Sequence, residues 1–154
     1  MEHNDRNIQV QLEELEFAMK NIISVAERRK IPGIIENARK LLQHIQSLIQ
    51  AQEVAPGSER VNSNLLSSLC ADGLSLADSL IARTVIEIRE VLFPLSEIKR
   101  DARKFGNEFF SDYFQWKDPG IVYSPESLMG ILENDLHFLN TARDIIRKNQ
   151  SLAG

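Results

Sequence analysis

At 154 residues, 43% hydrophobic and 26% charged, the chain is long enough to bury a core without disulfides and too apolar to read as disordered. A formal charge of −4 argues against a non-specific nucleic-acid binder, whose affinity rests on many phosphate contacts, and a single cysteine, Cys70, excludes an intramolecular disulfide. The polar start MEHNDRNIQV is neither a secretory signal nor a transit peptide, and no apolar run is read as approaching the roughly eighteen residues of a membrane span, so a cytoplasmic chain without a membrane contact is expected.

The first predicted element is an amphipathic helix on which Ile8, Leu12, Leu15, Met19, Ile22 and Ala26 alternate by four and three and so form one stripe. Arg28-Arg29-Lys30 suits a helix C-terminus, and Pro32 suits the first turn of a new helix. A second stripe, Ile34, Ala38, Leu41, Ile45 and Leu48, repeats the spacing. The two helices are expected as an antiparallel hairpin, with a turn or a proline-kinked helix over residues 24–36.

Val54-Ala55-Pro56-Gly57-Ser58 is the clearest loop, and a third helix is expected from Ser58 or Glu59. Its apolar positions are Val61, Leu65, Leu69, Leu76, Leu80, Val85, Ile88 and Leu92, with a bend or break expected at Gly73 and an interruption at Pro94. Cys70, between Leu69 and Ala71, is expected as a small buried side chain. A fourth helix then carries Ile98, Ala102 and Phe105. Lys117-Asp118-Pro119-Gly120 is the second strong loop, after which Ser124 and Pro125 cap and open a last helix with the stripe Leu128, Leu132, Leu139, Ala142 and Ile146. No segment alternates as a strand would. The expectation is an all-α fold, an antiparallel bundle of four to five helices in one domain over 1–154, with residues 1–6 and 150–154 frayed.

The main functional lead is KFGNEFFSDYFQW, residues 104–116, which holds six of the chain's ten aromatic residues. On a helix, Phe105, Phe109, Tyr113 and Trp116 fall within about 80°. Phe110 and Phe114 lie about 140° and 180° from Phe105, outside one packing stripe. Either a central helix buries both sets, or Phe110 and Phe114 form an apolar face that dimerises or receives a partner helix. Lys99, Arg100, Arg103 and Lys104 make a basic strip just before them, able to orient a protein partner by charge.

Chemistry is sparsely encoded. Arg39 and His44 form an Arg-x4-His pair, on which the alternative of a small helical nuclease or nucleotide-handling enzyme rests. Glu133 and His137 are i, i+4 neighbours, yet a di-iron bundle would need two Glu-x-x-His motifs and further glutamates, so no metal or other cofactor is expected. The seven glycines are scattered and form no phosphate loop. The residues thus point to a non-catalytic interaction or regulatory module, binding a protein partner or a second copy of itself.

Overall fold

The computed structural model describes residues 2–54, 61–97 and 125–153, with backbone alone at 2–7, 91–97, 125–128 and 153. The fold is all-α, and the described residues form four helices and no strand: α1 (Glu2–Arg28), α2 (Pro32–Val54), α3 (Ser63–Glu97) and α4 (Pro125–Ala153). Helix α1 begins and α4 ends inside the two stretches read as frayed. The chain divides into two compact units, Met1–Ser79 with Phe138–Gly154, and Leu80–His137.

In the first unit, α1 and α2 form the expected hairpin, and the junction over 24–36 is a turn. Lys30 takes φ 51°, Ile31 N–H donates to the Ala26 carbonyl at 3.2 Å, and Lys30 N–H donates to the Glu27 carbonyl at 3.1 Å. These two bonds are a Schellman cap with lysine where glycine is usual. Ile31 is buried beside the cap, and its carbonyl accepts from Ile35 N–H at 3.0 Å, which starts α2 around Pro32.

Helix α3 opens later than the sequence suggests, at Ser63, because Asn62 supplies the cap: Leu65 N–H donates to its Oδ1 at 2.9 Å. Val61 and Leu66, both buried, hold the flanking positions of a hydrophobic staple. The helix runs through Gly73 and Pro94 to Glu97 without a break at either. At Gly73 the cause is packing. A Cβ there would meet Ile146 Cδ1 at 3.1 Å, so the missing side chain admits a neighbouring helix rather than breaking its own.

The buried seam of α3 is also shifted by one position from the leucine stripe. Leu66, Leu69, Cys70, Gly73 and Ala77 face inward, whereas Leu65 and Leu76 are half-buried. Small residues occupy the seam because the helices approach closely there.

Across the unit, Arg39 pairs with Glu27, Lys148 and Asn149 reach Glu14, Arg28 lies 5.8 Å from the Phe138 ring centroid, and Arg143 meets Asp78. Rising numbers on α1 thus meet falling numbers on both α2 and α4, and α3 likewise runs against α4. The first unit is an up-down-up-down four-helix arrangement whose core includes Leu12, Leu15, Met19, Ile22, Ile45 and Leu139.

The second unit, taken by itself, contains the second half of α3, from Leu80, and the start of α4. Its seams carry polar residues: Thr84 Oγ1 donates to the Leu80 carbonyl at 2.7 Å, Glu87 is buried with Arg83 Nε at 3.6 Å, and Asp135 is buried between Leu132 and Leu139 in sequence.

One expectation about composition is corrected. Ser63–Glu90 is long and apolar enough to cross a membrane by length and composition, with a mean hydropathy of 1.4. The run escapes notice because serines, alanines and a glycine interrupt its leucines, while Asp72 and Asp78 are the only charges between 63 and 82. In the fold its exposed positions include Ser68, Asp72, Ser75, Asp78 and Ser79.

Candidate functional site

Phe110, Phe114, Lys99, Arg100, Arg103 and Lys104 lie outside the described residues. The Arg-x4-His pair is described, and its members are engaged differently. Arg39 donates to Glu27 Oε1 at 2.7 Å across the α1/α2 hairpin, whereas His44 lines a cleft between α2 and α3 that Arg39 does not line. Among the described residues no group of three or more His, Cys, Asp or Glu is placed to hold a metal. Cys70 is fully buried, and burial pushes its thiol up to about 11, so it is chemically quiet at neutral pH.

Exposed large apolar side chains occur on all four helices, and two of them share the outer face of α1. Val10 is 46% exposed and Phe17 55% exposed. They stand seven residues apart, so they share a stripe to within about 20°, on the side opposite the buried seam. Beside Val10 opens a groove of about 600 Å³ where the early part of α1, the start of α3 and the end of α4 meet. Ile8, Leu66 and Leu152 supply its apolar walls, and Leu152 is 65% exposed at the rim.

The polar floor of that groove is tied together. Asn149, only 2% exposed, donates from Nδ2 to Glu14 Oε2 at 2.9 Å and to the Ile145 carbonyl at 2.8 Å, while Lys148 Nζ lies 3.5 Å from Glu14 Oε1. A buried amide held by two acceptors fixes the groove's shape before anything enters it. The exposed apolar rim is then the part that gains from being covered.

Charge along α1 is polar end to end. Glu13, Glu14 and Glu16 precede Phe17; Lys20, 4.0 Å from Glu16, and Arg28 follow it, and Glu14 and Glu27 are met by Lys148 and Arg39. Such a helix presents an acidic half and a basic half on either side of its apolar centre.

The α2/α3 cleft is smaller, about 400 Å³. Asn37, Lys40 and His44 line the α2 wall at helical spacing, Asp72 and Ser75 line the α3 wall, and Leu41 and Leu76 supply apolar surface. Lys40 reaches back to Glu36 on its own helix at 3.3 Å rather than across to Asp72.

Val10 and Phe17 were missed by reasoning that followed the longest aromatic run. They fall off the predicted seam of the first helix, but so do Ile23 and Val25, which are buried, so the sequence alone does not mark the two as exposed. The two clefts join residues of different helices far apart in the chain, such as His44 with Asp72 and Glu14 with Asn149, which helical periodicity cannot reveal. Set against known proteins, the chain matches no family model, no curated protein and no solved structure.

Proposed function

We propose that the chain is a non-catalytic protein-interaction module that self-associates through the outer face of α1. The observation that carries this reading is the pair Val10 and Phe17, exposed on one stripe of a helix whose opposite side is already buried. A large apolar side chain held in water gains about 25 cal/mol for each Å² covered, before association costs.

The occupant is a second α1, antiparallel to the first about a two-fold axis at Phe17. In that arrangement Phe17 meets its symmetry mate, Val10 lies opposite Ser24, and Glu13 of one copy lies beside Asn21 and one position from Lys20 of the other, while Glu14 stays with Asn149 and Lys148. The charge polarity of α1 therefore favours the antiparallel pairing and opposes the parallel one, in which like halves would meet. The stripe covers little area, so the dimer is weak and concentration-dependent.

On sequence grounds Phe110 and Phe114, with Lys99, Arg100, Arg103 and Lys104, belong to the same reading as a second apolar face beside a basic strip. The test is solution mass across a concentration series for wild type and Phe17→Glu. A mass that rises in wild type and stays monomeric in the variant supports the proposal; a wild-type monomer throughout rejects it.

A further inference from the structure

We propose that the cleft between α2 and α3 binds a small zwitterion of the amino-acid class, a free amino acid or a dipeptide with an apolar side chain. Its volume, about 400 Å³, lies within the range of small-molecule sites. Its polar groups come from two helices, and Asn37, His44, Asp72 and Ser75, all exposed, make no hydrogen bond or ion pair among the described residues. Groups that share one concavity without satisfying each other are available to a ligand.

Charge selects the class. The α2 wall carries Lys40, whose ammonium lies 3.3 Å from Glu36 on its own helix at an exposed position, and the α3 wall carries Asp72. A ligand that spans the two walls meets both charges, and one that carries an opposite charge at each end gains from both. A simple anion would meet Lys40 and oppose Asp72; a simple cation would meet Asp72 alone and leave Lys40 to Glu36. A carboxylate toward Lys40 and His44, with an ammonium toward Asp72 and Ser75, satisfies the set. Leu41, buried at the base, and Leu76 then receive an apolar side chain.

The test uses L-leucine and the dipeptide Leu-Leu as probes, titrated calorimetrically into the full chain, with N-acetyl-leucine amide as the control lacking both charges. Saturable one-to-one binding of either probe is expected, with at least about a tenfold loss in Asp72→Asn and in Lys40→Gln, the worth of one charge-assisted hydrogen bond. Which of the two probes binds more tightly identifies the natural length. Both substituted side chains are exposed, so circular dichroism should show both variants folded. As a readout independent of the variants, the His44 imidazole resonances of wild type shift on titration with the tighter probe. Absence of saturable binding by both probes, equal binding of the control, or affinity unchanged in both variants overturns the proposal.

Discussion

A Cβ added at Gly73 would stand 3.1 Å from Ile146 Cδ1, closer than nearly all real contacts of that kind, and 3.5 Å from the Met19 sulfur. Ile146 is fully buried and has little room to move. Glycine is therefore the residue that lets three helices of the first unit meet, although it weakens its own helix by roughly 1 kcal/mol. Gly73→Ala should lower stability in the wild-type background, where overpacking outweighs propensity. In Ile146→Val, which removes the contacted methyl, the same change should raise stability by up to about 1 kcal/mol. Urea unfolding of the four proteins in this cycle checks the reversal of sign.

Lys30 holds a left-handed conformation that L-residues with side chains adopt at a cost of roughly 1–2 kcal/mol. Lys30→Gly should relieve part of it and raise stability by about 1 kcal/mol, measured as an upward shift in the denaturant midpoint. A loss of stability in this variant would mean that the Schellman turn is absent.

Asn62 caps α3 through its side-chain oxygen. Asn62→Ala should cost about 1 kcal/mol, and Asn62→Asp much less, because aspartate caps as well and adds a favourable charge at the helix N-terminus. Thermal melts of the pair distinguish capping from loss of a side chain alone.

Cys70 should resist thiol reagents in the native state and react once the chain is unfolded, because the fully buried thiol is raised to about 11. The native state disfavours the thiolate, so the stabilising effect is complete below the unfolded value of 9.0 and is lost as pH rises through about 11. Cys70→Ala should flatten that part of the stability profile between pH 9 and 11. An identical alkaline decline in both proteins would assign it to other groups.

The first hairpin was largely legible in the sequence, although Ile8 and Ile34 of the two stripes are only half-buried and Ala18, Val25 and Ile31 join the core from outside them. Leu12, Leu15, Met19, Ile22 and Ala26 are all buried, as are Ala38, Leu41, Ile45 and Leu48, since α1 and α2 each carry a regular apolar repeat. Helix α3 was less legible because its seam is built from Gly73, Ala77 and Thr84, which composition does not mark as core. Likewise Asp135 and Asn149 complete the α4 seam between and beyond its apolar residues, at positions where a hydrophobic pattern shows gaps. The groove and the cleft could not be read at all. Each depends on which helices lie side by side, and pairs such as Glu14 with Asn149 or His44 with Asp72 carry no local signal.

The central claim is that Phe17 and Val10 form a self-association face, and light scattering coupled to size exclusion tests it most directly on wild type and Phe17→Glu over a wide concentration range. Because Phe17 is more than half exposed, the variant should fold with an unchanged melting curve. The account predicts a wild-type mass that climbs from one chain toward two and a variant that stays at one. A wild-type protein that is monomeric at every concentration, or a Phe17→Glu variant that dimerises as wild type does, would contradict it.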